Sequence, residues 1–481
     1  MRIYDINFLY LPNSVKAQNM ERDNNIGSNQ RIRFIDLFAG IGGLRCGFEQ
    51  AVKDFGIDAE CVLTSEIKPY AIEILKQNYP NEKINGDITK ISSSEIPNFD
   101  FLLGGFPCQA FSAAGKRLGF LDTRGTLFFE VERILKDKRP FGFILENVEG
   151  LINHDKVDKS AKIGRTLKTI IERLEDIGYK VGWRLLNSKK FGLAQERRRV
   201  YIVGTKIEEP SMDNFREYGV NLMSIIEKGK PTIKSKFTDL LLSHYSIDQL
   251  YGKSIKDKRG GKNNIHSWDI ELKGVVSDGQ KNLLNMLFRE RRKRKWAEEF
   301  GIDWMDGMPL TLAQISSFFK HEDLEELLED LVKKGYLKKE HPKRLVEETN
   351  LLGETKTHRQ QDFKLPLGYN IVSGKLSFEV NKILDPKDIA PTLVAMDMKK
   401  LFVVDNGGLR TLTLYEGLKL FGFPENYKFE VGIEEGYDLL GNTVAVPVVR
   451  AVSERLMGIW MKHNMNKHEI NSTRSIRQAN A

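Results

Sequence analysis

Cysteine is scarce: Cys46, Cys61 and Cys108 are the only three in 481 residues. They are too few and too scattered for a disulfide framework or a zinc site, so no metal is expected and a reducing cytoplasm is the natural setting. Long apolar runs are also missing. None approaches the ~20 residues of a membrane-spanning helix, so no membrane partner is expected. The first 30 residues lack the basic-then-apolar pattern of an export signal. A strong excess of one charge is absent too: 74 Lys and Arg against 66 Asp and Glu leave a net of +8. That balance permits a nucleic-acid partner without demanding one. Nor is there an internal repeat. What is present, 41% apolar and 29% charged residues, is the composition of a globular protein. The length corresponds to about three ordinary domains.

The chain changes texture several times. Residues 1–30 are polar and read as an arm. From residue 31 short apolar runs alternate with amphipathic stretches: Phe34 to Phe38, Cys61 to Leu63, Phe101 to Leu103, Phe143 to Leu145 and Val200 to Val203. Buried strands alternating with helices imply an α/β sheet covered on both faces. The rhythm breaks after residue 210 and a compact apolar pattern returns near residue 409. One α/β domain (31–210 and 409–465) is therefore expected, with a long insertion (211–408) and a polar tail (466–481).

Within the first segment, Phe34-Ile35-Asp36-Leu37-Phe38 runs into Ala39-Gly40-Ile41-Gly42-Gly43, with a helix predicted from Leu44. Glycines let a backbone turn sharply and approach a ligand, and a helix start offers free N–H groups. The pattern is Gly-x-Gly-Gly, not the Gly-x-Gly-x-x-Gly of dinucleotide binders, and a tight structural turn explains it almost as well. Glu66 ends the next strand, suited to ribose hydroxyls, and Asp87 ends a third, suited to an adenine amino group. Together the three favour a nucleoside cofactor.

The strand Phe101 to Leu103 leads through Gly104-Gly105-Phe106-Pro107 to Cys108 and Gln109. Ligands of open α/β sheets bind beyond the carboxyl ends of strands, so Cys108 is placed for chemistry, with the thiolate as the reactive form. A buried structural thiol is the default for Cys46 and Cys61. The loop from Ser112 to Gly125 carries Lys116, Arg117 and Arg124, fit to close over a polyanion. Glu146 ends another buried strand, where a carboxyl is costly unless paired or used; capping a helix is the alternative. Arg197 and Arg199 fall on one strand face by alternation, suited to a phosphate or a base carbonyl; a solvated basic edge is the alternative.

In this order the segments resemble the cytosine-C5 DNA methyltransferase family of bacterial restriction–modification systems, over about residues 33–205 and 408–460. Phe38 to Gly43 is similar to the family's S-adenosyl-L-methionine loop, and Gly105-Phe106-Pro107-Cys108-Gln109 to its nucleophile motif. Arg124-Gly125-Thr126-Leu127-Phe128, Glu146-Asn147-Val148 and Gln195-x-Arg197-x-Arg199 complete the catalytic set. Arg410 to Thr413 and Gly441-Asn442-Thr443-Val444 resemble the late motifs. Leu439 and Leu414-Tyr415 depart from the family pattern without touching the reaction centre.

The resemblance implies a Rossmann-like methyltransferase fold and sequence-specific methylation of a flipped-out cytosine in double-stranded DNA. It implies Cys108, Glu146, Arg197 and Arg199 as catalytic, Cys108 bonding covalently to cytosine C6. Cofactor contacts are expected from Asp36, Phe38, Gly40, Gly42, Gly43, Leu44, Glu66, Ile67, Asp87, Ile88, Pro107, Leu127, Asn442 and Val444. DNA contacts are expected from Gln109, Ser112, Lys116 and Arg124. A monomer serving beside a cognate restriction endonuclease is the expected setting. A tRNA methyltransferase and a non-catalytic DNA-binding regulator are the alternatives, disfavoured respectively by the long insertion and by the intact catalytic set.

The insertion lies where that family carries its target-recognition region. Lys281 to Phe300 reads as one helix whose centre, Arg289 to Lys295, holds six cations and one acid. Leu324, Leu327, Leu328, Leu331 and Val332 then form an apolar stripe at helical spacing, and Tyr336 starts an extended piece. Three helices and a hairpin over 281–340 resemble a winged helix, with a helical spacer bearing solvated charged faces as the alternative. Its third helix is acidic, so the basic first helix is the expected DNA contact.

Overall fold

Apolar runs too short for helices form the strands of a central sheet: Arg31–Leu37 (β1), Asp58–Ser65 (β2), Ile84–Asn85 (β3), Phe101–Gly104 (β4), Gly142–Val148 (β5), Lys180–Asn187 (β6) and Arg198–Thr205 (β7). The computed structural model describes residues 31–107, 126–156, 158, 160–257, 263–349, 355–372 and 378–479. The sheet order is β3-β2-β1-β4-β5-β7-β6. β1 to β5 pair in parallel, and β7 lies antiparallel to β5. The order reverses between β1 and β4, the switch point at which doubly wound sheets bind ligands.

Helices Gly43–Asp54 (α1), Pro69–Asn78 (α2), Thr126–Lys138 (α3) and Arg165–Asp176 (α4) cover the sheet. Ile35, Leu37, Leu102, Phe128, Val131, Phe143, Leu167 and Ile202 share one core. The helix Val446–Ala479 (α11) packs on α1. There Gly47 is required, because a Cβ on it would lie 2.6 Å from Val449 Cβ and 2.7 Å from the Val446 carbonyl. The polar tail expected from residue 466 continues this helix.

Two compact units divide the chain. One comprises the described residues of Met1–Leu186, Arg198–Phe215 and Val446–Ala481; the other comprises Asn187–Arg197 and Arg216–Ala445. The chain thus returns to the first unit at Val446, whereas the apolar pattern resumes from residue 409. Residues 409–445 cluster with the second unit instead. There the strand Gly408–Thr411 carries Arg410, whose guanidinium meets the Glu416 carboxylate at 2.8 and 2.9 Å and Asp405 at 2.9 Å. Glu416 in turn caps the helix Leu414–Phe421 (α9) through the Thr413 N–H.

The second unit contains Asp278–Glu290 (α5), Lys295–Glu299 (α6), Leu312–Ser316 (α7) and Leu324–Lys333 (α8). Strands Leu337–Glu340 (β8), Lys343–Thr349 (β9), Thr355–Gln361 (β10) and Gly368–Ile371 (β11) follow. β8 pairs with β11, Leu310 bridges Tyr369 on the far side of β11, and β9–β10 is the hairpin between. Capping boxes Ser277/Gln280 and Thr311/Gln314 start α5 and α7. The elements from Asp278 to Ile371 thus run helix, strand contact, helix, helix, strand, hairpin, strand. Leu324, Leu328 and Leu331 of α8 face its core with Trp268, Leu287 and Tyr336.

The expectation of one basic helix over 281–300 is corrected. α5 ends at Glu290 and α6 starts at Lys295. The break is made by Arg291, which turns inward to the Asn370 Oδ1 at 2.5 Å and is 2% exposed. Burial, with Arg292 adjacent, lowers its pKa to about 10. Arg292 pairs with Asp306 at 3.0 Å and Lys293 with Glu290 at 2.5 Å, so part of the cluster is neutralised within the fold.

Candidate active site

β1 delivers its glycine turn at the switch point. Phe38 adopts φ +57°, Gly40 +55° and Gly42 +74°, the last as the N-cap of α1. These left-handed conformations turn the chain into α1, with Gly42 N–H donating to the Ala39 carbonyl at 2.8 Å, and leave open space where a Cβ on Gly40 would sit. The Glu66 carboxylate, just past β2, accepts from Gly40 N at 2.7 Å, Ile67 N at 2.8 Å and Lys68 N at 2.9 Å. Glu66 thus closes the glycine loop, and Ile67 beside it is 71% exposed.

Asp87 lies past β3 and is half-buried. Its Oδ1 accepts from Thr89 N at 3.0 Å and Thr89 Oγ1 at 2.8 Å, which lowers its pKa. Its Oδ2 faces no partner among the described residues. Ile88 next to it is buried, as are Leu44 on α1 and Gly43. Glycine turn, Glu66 and Asp87 therefore stand at the ends of three neighbouring strands.

Asp36 is the outlier. It is fully buried on β1, and neither carboxyl oxygen has a hydrogen-bond partner among the described residues. Desolvation raises its pKa to about 8, against the pull of Arg45 and with Glu49, Glu66 and Glu82 adding to the rise. Sequence reasoning passed over Arg45. It reads as a helix surface charge, yet it is 4% exposed, ion-paired to Glu49 at 2.7 Å and Glu82 at 2.5 Å, and stacked on Tyr79 at 3.3 Å.

An unpartnered buried carboxyl, a helix N-terminus with left-handed glycines and an outward carboxylate oxygen fit a cationic, hydroxyl-rich adenosine ligand such as S-adenosyl-L-methionine.

On the other side of the switch point, β4 leads to Pro107, which is exposed. Cys108, Gln109, Ser112, Lys116 and Arg124 lie outside the described residues. Leu127 is half-buried in α3. Cys46 and Cys61 carry thiols pushed up to about 12 by burial, in keeping with a structural role. The entry to the cysteine loop is pinned from β5: Asn147 donates through Nδ2 to the Phe106 carbonyl at 3.0 Å, both residues being buried. The sequence holds Asn147 in plain view beside Glu146 but gives no sign of this contact.

Glu146 is 9% exposed at the end of β5. In the antiparallel register it pairs with Tyr201, and Val148 pairs with Arg199, so Glu146 and Arg199 are diagonal neighbours on one face. Arg199 Nε lies 3.1 Å from Glu146 Oε1, and Arg199 Nη1 donates to the Arg198 carbonyl at 2.9 Å. A Cβ on Gly105 would sit 3.9 Å from Glu146 Oε2, so the loop backbone passes close to that oxygen.

Matching these observations, the model of the C-5 cytosine-specific DNA methylase family covers residues 32–458. The chain belongs to that family. Type II methyltransferase M.NlaIV of Neisseria lactamica is 61% identical over 428 residues, 89% of this chain and 99% of that protein. Type II methyltransferase M.NgoBV of Neisseria gonorrhoeae is 60% identical over 428 residues, again 89% and 99%. Type II methyltransferase M.BanI of Aneurinibacillus aneurinilyticus is 40% identical over 461 residues, 91% and 97%. The chain is a DNA cytosine-C5 methyltransferase using S-adenosyl-L-methionine on a Rossmann-like α/β fold.

Against this family frame, Arg197 is the residue whose expected place is corrected. It does not share a strand face with Arg199, because β7 begins only at Arg198. Its side chain is 3% exposed and donates to the carbonyls of Leu393 at 2.9 Å, Gly441 at 3.1 Å and Thr443 at 2.7 Å, with Phe421 against its guanidinium. Arg197 is a strut of the second unit and is not free to meet a phosphate. Asn442, whose amide donates to Asp438, and buried Val444 belong to the same unit.

Proposed function

We propose that this methylase acts on a flipped-out cytosine of duplex DNA through a covalent bond from Cys108. The observation that carries the reading is the Glu146–Arg199 pair at 3.1 Å, one strand over from the strand that leads to Cys108. Cytosine C5 is too electron-poor to take a methyl group unaided. The Cys108 thiolate adds to C6, and the new S–C6 bond makes C5 an enamine carbon. Glu146 holds a proton at N3 and accepts from the exocyclic amine, neutralising the charge that addition places on the ring. Arg199 stabilises charge at the O2 carbonyl. S-adenosyl-L-methionine supplies the methyl group. Loss of the C5 proton then breaks the S–C6 bond and restores the aromatic ring. Asp36, the glycine turn, Glu66 and Asp87 hold the cofactor, and Gln109, Ser112, Lys116 and Arg124 contact the DNA. The enzyme works in the cytoplasm as a monomer, with residues 211–408 reading a specific sequence and shielding it from a cognate endonuclease.

Bisulfite sequencing of DNA from cells expressing the protein tests the reading. Protection of cytosine in one sequence context is expected. Unprotected DNA, or protection equally lost and retained between wild type and Cys108→Ala, overturns it. Duplex DNA carrying 5-fluorocytosine should trap a denaturant-stable adduct with wild type and none with Cys108→Ala.

A further inference from the structure

In the winged-helix part of the second unit, α8 occupies the place of the helix that such modules lay in the major groove. It exposes Glu325, Glu326 and Glu329 there, and acids meet phosphates badly. Positive charge gathers elsewhere in the module. The turn from α5 into α6 exposes Lys293, Arg294 and Lys295. Trp304, 44% exposed, ties this turn to the hairpin. Its indole Nε1 donates to the Arg292 carbonyl at 2.9 Å, and its own carbonyl accepts from Arg359 Nη2 at 2.6 Å. Arg359 on β10 also reaches the carbonyls of Lys343 at 3.3 Å and Asp303 at 3.4 Å. Arg344 on β9, its side chain 47% exposed, extends the same edge to the Gly301 carbonyl at 3.4 Å. The acids Glu290, Asp306 and Asp362 are paired with Lys293, Arg292 and Arg344, while Glu298, Glu299 and Asp303 nearby are exposed. Among the described residues no carboxylate lies within ion-pairing distance of Arg294, Lys295 or Arg359. Arg359 is held by the backbone carbonyls, and Lys295 Nζ lies 3.9 Å from the centre of the Trp296 ring.

We propose that the α5–α6 turn, Trp304 and the base of the β9–β10 hairpin form a contact surface for the sugar–phosphate backbone of duplex DNA, with α8 turned away from it. An indole between cations offers an apolar plane to a deoxyribose, and the guanidinium and ammonium groups meet phosphates on either side. The proposal rests on duplex DNA being the substrate and adds which face of the recognition unit holds it.

The test is binding of a fluorescent duplex to the full chain across a salt series. Each phosphate contact removed lowers the slope of log affinity against log salt by about 1. Arg294→Gln with Lys295→Gln should lower the slope by about 2. Between about 50 and 200 mM salt the double variant should then lose about twelvefold less affinity than wild type. Trp304→Ala should weaken binding several-fold at an unchanged slope. Glu325→Gln with Glu326→Gln should leave the slope unaltered and controls for folding of the module. Parallel salt plots for wild type and the Arg294/Lys295 variant overturn the proposal and assign the face to a protein partner. A steeper slope in the Glu325/Glu326 variant overturns it in favour of α8. Methyl transfer at saturating DNA, measured on the same preparations, separates the two readings. A wild type that binds with the expected slope but methylates no cytosine refutes the function and leaves the surface standing.

Discussion

Glu146 Oε1 and Arg199 Nε lie 3.1 Å apart on adjoining antiparallel strands, a buried ion pair at the carboxyl end of β5. Such pairs add little net stability, so their presence at a strand end points to chemistry. Glu146→Gln keeps the shape and removes the proton acceptor. It should lower the single-turnover rate of methyl transfer by roughly 10²–10⁴-fold while cofactor affinity changes less than twofold. A rate within threefold of wild type would remove Glu146 from the reaction.

Arg197 sits two residues away in sequence and should behave differently. Arg197→Ala leaves three buried carbonyls without their donor. A loss of about 3 kcal/mol in the stability of the second unit is expected. A lowered unfolding midpoint with an unchanged salt slope of DNA binding is the checkable signature. A reduced slope at full stability would restore Arg197 to the phosphate contacts.

Asp36 predicts a pH dependence. Its pKa is about 8 in the fold against 3.8 as a free side chain, so the folded cofactor-free chain holds a proton there that the unfolded chain releases. That contribution is complete below pH 4, weakens as pH rises and is gone above about 8. Arg45, Glu49, Glu66 and Glu82 are the charges that face it. Asp36→Asn mimics the protonated form and should flatten the fall of the thermal midpoint between pH 5 and 8. Curves of equal slope for the two proteins would refute the buried neutral acid.

Gly47→Ala places a methyl group 2.6 Å from Val449 Cβ. Overpacking of this kind costs about 1–3 kcal/mol, offset by roughly 1 kcal/mol of helix preference for alanine. A net loss of up to about 2 kcal/mol in thermal melts is expected, partly recovered by Val449→Ala in the same chain. An unchanged melt would mean that the helices separate freely.

The strands and the turn at Gly40 to Gly43 were legible because their signals are local. A buried strand reads as an apolar run, and a left-handed turn demands glycine. Glu66 and Asp87 were legible for the same reason, since each follows directly from a strand end. Arg197 was not, because its acceptors at 393, 441 and 443 lie 196, 244 and 246 residues onward. Alternation predicts a face only while the strand continues, and β7 starts one residue too late. The break at Arg291 hid equally well: six cations within seven residues look like a solvated helix until Asn370 draws one of them inward. The stripe on α8 was visible because its partners only had to be apolar.

The docking of α1 against α11 sets an order of events during synthesis. Val446 and Val449 close over Gly47, which lies in the second turn of α1 some four hundred residues earlier. A nascent polypeptide can assemble its seven strands and the whole recognition unit on the ribosome, yet α1 stays uncovered until the final helix emerges. Truncated translation products should therefore bind DNA without modifying it.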